Sequence, residues 1–313
     1  MGEAGDVLSC VMAGGEGVVE ERPGGAVLRV KNDTGEGSMA FCQVFDGVGL
    51  SFNDFRLDAY DSGFVAGPDM LCIDHCREGR IEQPVAGGAY SYVASGDLKI
   101  DDRSRHTGMF VLPLGHYRGI TVSFDLARAE RSIAQVLFRS CRGGDPFIMH
   151  DAPGAEHIFC ELYSVPDEIR ATYFQLKVLE LLLFLQVLDP GPVRERRPYF
   201  YRAQVEKVKA ARDFMVSDLT VEHTIDELAD RFDLPPTAFK TCFKGVYGLP
   251  PYAYLRTFRM ERAAALLRET DLRVADIGLA VGYDSPSKFT AAFKAVIGQT
   301  PTVHRRDRAR YVR

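Results

Sequence analysis

Hydrophobic residues in the first half of the chain fall in short runs that turn signals interrupt. The runs with strand character are Ala26–Val30, Met70–Cys76, Ala89–Ala94, Gly108–Pro113 and Ile120–Asp125. Gly-rich and Gly-Pro turns lie between them, and the runs lack the 3.6-residue periodicity of a helix. Many short strands at close spacing are typical of a sandwich or a small barrel. We therefore expect a β-rich domain over residues 1–165.

The pattern changes after Pro166. Residues 167–188 contain no Gly or Pro and are dense in Leu, which predicts a helix within residues 166–189. A helix that is apolar on nearly all sides must be buried on several of them. One interpretation packs it only against its own β domain. The other also places four of its residues in a dimer seam, namely Leu179, Leu182, Leu183 and Gln186.

Three prolines and several charges follow this helix over residues 190–202. Proline stiffens an exposed segment and stops regular structure. This stretch is predicted to be an interdomain linker, and residues 203–313 are helical in character.

The last third of the chain repeats itself at a spacing of 50 residues. Residues 239–251 align with residues 289–301, and six of the thirteen aligned positions are identical. The identical pairs are Phe239 and Phe289, Phe243 and Phe293, Lys244 and Lys294, Val246 and Val296, Gly248 and Gly298, and Pro251 and Pro301. Self-similarity of this kind indicates two copies of one supersecondary unit.

Each copy is predicted to contain a short helix, a turn and a second helix. In the first copy Thr224 and Glu227 have capping-box spacing, and in the second copy Ser285 suits an N-cap. The helix-turn-helix units are expected over about 225–247 and 274–297, with a linking helix over about 252–269. At 1.5 Å per residue the linking helix is about 27 Å long, which suits two recognition helices held about one duplex turn apart.

Charge divides the chain at the same place. Residues 203–313 carry 18 Lys and Arg against 14 Asp and Glu, a net charge of +4, whereas residues 1–202 carry −9. A basic second half favours a polyanionic partner.

The seven cysteines are scattered, the N-terminus is acidic, and the longest apolar run is shorter than the roughly 20 residues that span a bilayer. We therefore expect a reduced, cytoplasmic protein without a membrane partner.

Residues 203–313 resemble the DNA-binding domain of the AraC/XylS family of bacterial transcription regulators. The motifs that carry the resemblance are Thr224–Ala229, Phe239 to Gly248, Arg259 to Leu267, and Val281 to Pro301. The resemblance implies an α+β two-domain fold, in which a cupin-like effector-binding β-barrel (1–165) and a dimerisation helix (166–189) precede an all-α double helix-turn-helix domain. It implies a sequence-specific regulator and not an enzyme.

The second helix of each unit is expected to read DNA. Helical spacing turns inward Phe239, Cys242, Phe243 and Val246 in the first unit, and Phe289, Ala292, Phe293 and Val296 in the second. The resemblance places base reading on Thr237, Lys240, Thr241, Pro286, Ser287, Lys288 and Ala291. Lys244 and Lys294 lie a turn further along and are expected to bind phosphate. The alternative for each lysine is a solvated helix face, and the basic tail Arg305–Arg310 is interpreted as solvated disorder or as a phosphate clamp.

The β-rich half offers aromatic and arginine side chains that suit a small organic ligand, including an anionic one. Effector binding is expected of Arg77, Arg80, Tyr90, Tyr92 and Arg118. The histidines are dispersed (His75, His106, His116, His150), so neither a metal site nor a cofactor is predicted.

The expected partners are promoter DNA, a small-molecule effector and a second copy of the chain, with RNA polymerase as a further candidate. Two alternatives remain open. One is a cupin-type metal-dependent enzyme fused to a DNA-binding domain. The other is a constitutive DNA-binding dimer without an effector.

Overall fold

A computed structural model describes residues 17–62, 69–85, 88–103, 108–129, 147–149, 153–187 and 200–311. The chain forms two compact units, residues 1–199 and 200–313. The predicted order of a β-rich unit before a helical one is confirmed. His106, His150 and residues 190–199 of the predicted linker lie outside the described residues. Phe200–Tyr201 form a short strand and Arg202 begins a helix, so these three residues are wrongly included in the predicted linker.

The N-terminal unit is an antiparallel half-barrel. Its strands are β1 (Gly17–Arg22), β2 (Gly25–Asn32), β3 (Gly35–Phe45), β4 (Val48–Arg56), β5 (Ala59–Asp61), β6 (Met70–Val85), β7 (Ala89–Ala94), β8 (Leu98–Asp102), β9 (Met109–Val111), β10 (Tyr117–Asp125) and β11 (Phe147–Met149). Neighbours pair in the order β1-β2-β3-β4-β10-β6-β7, while β8 pairs with β6 and β11, and β9 pairs with β5 and β6.

Strand β6 is 16 residues long, and its two parts pair with different strands. Residues 70–79 pair with β10, and residues 80–85 continue as the partner of β7. Between the two parts lies Gly79 at φ 85°, where a Cβ atom would come within 2.1 Å of the His116 carbonyl oxygen. Only glycine fits this close approach in the left-handed region. The register of β10 against β6 shifts nearby, between Arg118 and Gly119.

Residues of the central strands alternate between two faces of the sheet, as the period of two requires. In β10 the even-numbered Ile120, Val122 and Phe124 lie in the main hydrophobic core. The odd-numbered Thr121 and Ser123 line a cavity on the opposite face. The half-barrel therefore has one face for packing and one face around an internal space.

Two helices cover the packing face, α1 (Pro153–Leu162) and α2 (Arg170–Val187). Helix α1 falls inside the region predicted to be β-rich, although Ala155, Ile158, Phe159 and Leu162 have helical spacing and are buried against the sheet. Helix α2 lies within the range 166–189 in which the Leu-rich helix is predicted. Leu182 lies in the same core and is 5% exposed, so its assignment to an exposed dimer seam is wrong.

The C-terminal unit opens with strand β12 (Phe200–Tyr201) and continues with seven helices in its described part. They are α3 (Arg202–Ser217), α4 (Ile225–Arg231), α5 (Pro236–Tyr247), α6 (Pro251–Glu269), α7 (Val274–Ala280), α8 (Pro286–Ile297) and α9 (Pro301–Tyr311). Thr224 and Glu227 form the predicted capping box, with hydrogen bonds of 3.2 and 2.8 Å. Among the described residues, no helix combines the length and apolar character of a membrane span.

The basic C-terminal segment is helical, so its interpretation as disorder is wrong. Pro301 starts α9 at a position where its missing N–H costs nothing. His304 packs edge-on against Phe293 at 5.6 Å and contacts Gln299 and Arg268 through its ring nitrogens. Arg305 donates to the carbonyl oxygen of Leu272. These contacts attach the first turns of α9 to the rest of the unit.

Candidate nucleic-acid interface and interior cavity

The two helix-turn-helix units have the same internal packing. In α5 the rings of Phe239 and Phe243 lie 5.7 Å apart, and in α8 the rings of Phe289 and Phe293 lie 5.8 Å apart. All four rings are at most 1% exposed. The inward faces predicted from helical spacing are confirmed, with Ala292 and Val296 partly buried.

Both second helices also end in the same way. Gly248 and Gly298 adopt left-handed conformations, φ 78° and 86°, and their N–H groups donate to the carbonyls of Lys244 and Lys294 at 2.8 and 3.0 Å. Glycine is favoured there because it has no Cβ. The repeated glycines thus place the repeated lysines in equivalent last turns.

The exposed faces of α5 and α8 carry every residue predicted to contact DNA. Thr237, Lys240, Thr241 and Lys244 are exposed on α5, and Pro286, Ser287, Lys288, Ala291 and Lys294 are exposed on α8. Hydroxyl, ammonium and methyl groups are the kinds that meet base edges and phosphates in a major groove. Each unit therefore presents a polar helix face on an aromatic core.

The turns that precede these helices differ. In the second unit Ser285 caps α8 by accepting a hydrogen bond from the Lys288 N–H at 3.4 Å. Pro235 stands at the N-cap of α5 and makes no side-chain cap bond within the described unit. Lys207 instead donates to Asp233, to the carbonyl oxygen at 2.9 Å and to Oδ2 at 2.8 Å. Sequence reasoning missed Lys207, because it comes from a helix 26 residues earlier.

Helix α6 packs against both units. Near its start, Tyr254 lies against Phe243 and Tyr247, at ring distances of 5.5 and 4.8 Å. Towards its end, Met260, Ala263, Ala264 and Leu267 share a core with Ile277, Val281 and the phenylalanines of α8. The predicted linking helix is thus a strut whose two halves serve different helix-turn-helix units.

Arg259 of the same helix contacts the segment before the first helix-turn-helix unit and the turn of the second unit. Its Nη2 donates to the Val221 carbonyl at 3.2 Å, and its guanidinium lies 6.0 Å from the Tyr283 ring centroid. Gly282 sits beside it at φ 84°, where a Cβ atom would come within 2.2 Å of the Leu219 carbonyl oxygen. The close approach fixes the turn of the second unit against the start of the first.

The half-barrel forms a partly open cavity of about 100 Å³. One part of its wall is apolar and includes Met39, Phe41, Phe55, Leu57, Tyr60, Ile81, Val93, Phe110 and Leu112. The other part is polar and includes Asn53, Asp74, Gln83, Lys99, Arg103 and Thr121. A mostly apolar space with a few convergent polar groups is typical of a small-molecule site.

The polar part of the wall contains a buried ion cluster. Arg103 Nη2 donates to both carboxylate oxygens of Asp74, at 2.9 and 2.7 Å, and Lys99 Nζ lies 2.9 Å from Asp74 Oδ2. Burial alone would raise the pKa of Asp74, but the charges of Arg103 and Lys99 and the hydrogen bonds hold that pKa well below its ordinary value. Asp74 therefore remains a carboxylate.

The five residues predicted to bind the effector are not among the described residues that line this cavity. Arg77 and Arg118 lie over the ring of Tyr163, 4.3 and 5.3 Å from its centroid. Arg80 lies 5.5 Å from the Tyr92 ring centroid, and the Tyr92 hydroxyl donates to Glu82 at 2.8 Å. Tyr90 is half-buried on β7. The cavity residues Asn53, Asp74, Lys99 and Arg103 were missed, because their meeting depends on the registers of four strands.

Of the dispersed histidines, His75 is fully buried on β6 and His116 is exposed. His75 stacks on Phe159 at a ring distance of 4.6 Å, and its Nε2 lies 2.7 Å from Glu156 Oε2. Across the described ranges, no three His, Cys, Asp or Glu side chains come together as metal ligands.

Comparison with known proteins gives matches over the C-terminal unit and beyond. A family model described as a helix-turn-helix domain matches residues 228–307. The HTH-type transcriptional regulator ExsA of Pseudomonas aeruginosa is 28% identical over 133 residues, which cover 42% of this chain and 47% of ExsA. An AraC-like transcription regulator of Streptomyces lividans is 37% identical over 175 residues, which cover 51% of this chain and 56% of that protein.

A shorter relative is covered more fully. The Tn10 transposon protein TetD of Escherichia coli is 31% identical over 96 residues, which cover 29% of this chain and 70% of TetD. The chain thus spans about half the length of ExsA and of the Streptomyces lividans protein, and most of the length of TetD.

Proposed function

This chain belongs to the AraC family of transcription regulators, and we propose that it binds promoter DNA sequence-specifically under the control of a small molecule held in its half-barrel. The observation that carries the DNA-binding part is the doubled helix-turn-helix. Helices α5 and α8 each present an exposed polar face. Both have a buried pair of phenylalanines, and both end at a glycine with a left-handed conformation. A duplex offers such helices two successive major grooves on one side.

We assign base reading to the first turns of these helices and phosphate contact to their last turns. The base readers are Thr237, Lys240, Thr241, Pro286, Ser287, Lys288 and Ala291, and the phosphate contacts are Lys244 and Lys294. A lysine at a recurring position fixes the register of a helix on DNA without reading sequence. Helix α6 supports this arrangement, because its 19 residues span about 28 Å at 1.5 Å each, close to the repeat of the major groove.

The half-barrel is proposed to be a cupin-like sensor. Its cavity brings apolar and polar walls together in one space. The strands that line the cavity pack against helices α1 and α2 through their other face. A ligand that binds one arrangement of these strands more tightly than another shifts the equilibrium towards that arrangement, and with it the positions of α1 and α2. Where DNA binding favours one of the same arrangements, ligand binding and DNA binding change each other's affinity by the same factor.

We propose that the exposed stripe of helix α2 is the dimer seam. Leu176, Leu179, Leu183 and Val187 are 59%, 44%, 62% and 82% exposed, and Gln186 is exposed beside them. Steps of three and four residues place these four aliphatic side chains on one face, as in a two-stranded coiled coil. Exposed aliphatic residues in a row favour a partner helix, and a second copy of this chain supplies the same row.

Selection from random duplex DNA with the full chain tests the proposal. We expect enrichment of a site with two short elements whose centres are about one helical turn, roughly 10 base pairs, apart. Thr241→Glu combined with Ala291→Glu puts a negative charge on each exposed face and should abolish enrichment. Ala127→Glu, exposed in the half-barrel, is the matched control. A full chain that enriches no sequence would overturn the proposed function.

A further inference from the structure

The polar wall of the cavity limits which chemical class of molecule would suit the half-barrel, and the inference drawn from it rests on the proposed sensor function. The relevant residues are Asn53, Asp74, Lys99, Arg103 and Thr121, all of which line the cavity. Their hydrogen bonds form one connected network. A ligand can bond only to donor or acceptor capacity that the network leaves open.

The positive charges of the wall are already paired. Lys99 Nζ lies 3.0 Å from Gln83 Oε1, 3.0 Å from Asp101 Oδ2 and 2.9 Å from Asp74 Oδ2, which uses the three donors of an ammonium group. Arg103 is bonded to both oxygens of Asp74 and lies 3.7 Å from Asp101 Oδ1. Two cations therefore face two carboxylates, so an anionic ligand would meet a wall without excess positive charge and would compete with carboxylates already paired to both cations.

The orientation of Asn53 follows from the same network. Thr121 donates its hydroxyl proton to Asp74 Oδ1 at 2.7 Å, because a carboxylate accepts only. The Thr121 oxygen is then free to accept, and it does so from Asn53 Nδ2 at 3.2 Å. The amide nitrogen of Asn53 is thus directed at Thr121, and its oxygen faces away.

Asn53 Oδ1 is an acceptor without a donor on a residue that lines the cavity, whereas Asp101, whose Oδ1 also lacks a hydrogen bond, is not among the described lining residues. Asn53 is 5% exposed, and its Oδ1 has no hydrogen-bond partner among the described residues. A buried amide oxygen without a donor is costly, since it has lost its bond to water. A donor supplied by a ligand would recover that loss.

We propose that the half-barrel binds a small neutral molecule with an apolar body and a single hydroxyl or N–H group, which donates to Asn53 Oδ1. The apolar body lies against side chains such as Phe41, Phe55 and Leu112. This class differs from the anionic ligands that the arginine content of the sequence suggests, because the arginine and lysine of the wall are neutralised within it.

Binding of phenol, toluene and benzoate to the full chain tests the inference. Phenol and toluene have nearly the same shape and differ in the donor, and benzoate is an anion. We expect phenol to bind and benzoate to bind more weakly. We also expect Asn53→Leu to reduce the preference for phenol over toluene by about tenfold, the effect of one hydrogen bond of about 1.4 kcal/mol. Titration calorimetry at millimolar probe concentrations measures these ratios.

Two further variants keep the test decisive. Thr121→Val removes the acceptor that orients the Asn53 amide and should also reduce the phenol preference. It is used in place of Asn53→Leu if circular dichroism shows that Asn53→Leu does not fold. Ser91→Ala removes a buried hydroxyl from strand β7 at a position that is not among the described residues lining the cavity, and should leave the preference unchanged.

Three outcomes would overturn the inference: tighter binding of benzoate than of phenol, an unchanged phenol preference in both Asn53→Leu and Thr121→Val, and no binding of any of the three probes. Each is distinguishable from failure of the proposed function, because selection of DNA by the same full chain is measured separately. A chain that selects DNA and prefers benzoate remains a regulator with a different class of effector.

Discussion

The imidazole Nε2 of His75 lies 2.7 Å from Oε2 of Glu156, which joins strand β6 of the half-barrel to helix α1. His75 is fully buried and stacks on Phe159 of the same helix. The pair is a side-chain link between the layer that encloses the cavity and the helical layer packed on its back. Its protonation state therefore affects the stability of the N-terminal unit.

We expect the N-terminal unit to lose stability as the pH falls below about 6.5, the ordinary pKa of histidine. Burial lowers the pKa of His75 further than the Glu156 carboxylate raises it. Between that lowered pKa and the ordinary one, the unfolded chain binds the proton and the folded chain does not. Stability then rises with pH, by at most about 1.4 kcal/mol per pH unit for one proton.

Thermal unfolding of the full chain from about pH 7.5 to 5.5 measures this slope. The matched variant His75→Gln retains a donor for Glu156 but does not titrate, so its unfolding temperature should depend less on pH. Equal slopes for the two proteins would show that His75 does not control the acid side of the stability curve.

If the exposed stripe of helix α2 is the dimer seam, Leu183→Glu should separate dimers of the full chain into monomers. Leu183 is 62% exposed, so the charge costs little in the monomer but would be buried between two helices in the dimer. Sedimentation velocity reports the change. Ala171→Glu, exposed on the same helix but on a different side, is the control and should remain dimeric. A dimer that survives Leu183→Glu would place the seam elsewhere.

Substitution of Leu182 should reduce the stability of the monomer, unlike substitution of its neighbour Leu183. Leu182 is 5% exposed and packs in the main core of the half-barrel, so Leu182→Ala leaves a cavity and should reduce the free energy of unfolding by about 2–5 kcal/mol. Urea denaturation measures this loss. A stability loss below about 0.5 kcal/mol, the range of surface substitutions, would contradict the core assignment.

The helical unit could be predicted from the sequence because its signals are local. A capping box at Thr224, a proline at the first position of α5 and glycines at two helix ends each act within a few residues. The repeat at 50 residues then duplicates the proline at the start and the glycine at the end of the second helix of each unit. The observed bounds of the two helix-turn-helix units and of the linking helix consequently differ from the predicted ones by at most one residue.

The cavity could not be predicted in the same way. Its residues come from distant strands, and which of them face inward depends on the left-handed backbone at Gly79 and on the register shift between Arg118 and Gly119. A shift of one residue moves a side chain to the other face of a sheet. Aromatic and arginine content therefore suggested residues such as Arg77 and Arg118, which lie against Tyr163 instead.

Gly282 and Gly298 provide a matched pair in the helical unit. Both have left-handed φ angles, 84° and 86°. A Cβ at Gly298 would meet nothing within 4 Å, whereas one at Gly282 would come within 2.2 Å of the Leu219 carbonyl oxygen. We expect Gly298→Ala to cost about 1 kcal/mol, the strain of the conformation alone.

Gly282→Ala should cost clearly more than Gly298→Ala, because the backbone of the first unit must also move. It should weaken DNA binding as well, since the same close approach fixes the two helix-turn-helix units against each other. Urea denaturation and anisotropy of a labelled duplex measure the two effects. Equal stability losses would mean that the contact with Leu219 relaxes at no cost.

The assignments of Lys244 and Lys240 differ in what each substitution should do to DNA binding. Lys244→Ala should weaken binding to all duplexes alike and lower the slope of log K against log salt by about one, because one phosphate contact is lost. Lys240→Ala should instead relax the base preference at one position, by about 1–3 kcal/mol. Anisotropy titrations at several salt concentrations on a selected site and its single-base variants separate the two. Lys31→Ala removes the same charge from an exposed position on the half-barrel and should change neither quantity. A loss for Lys244→Ala that depends on sequence would reverse its role, because a phosphate contact is present on every duplex.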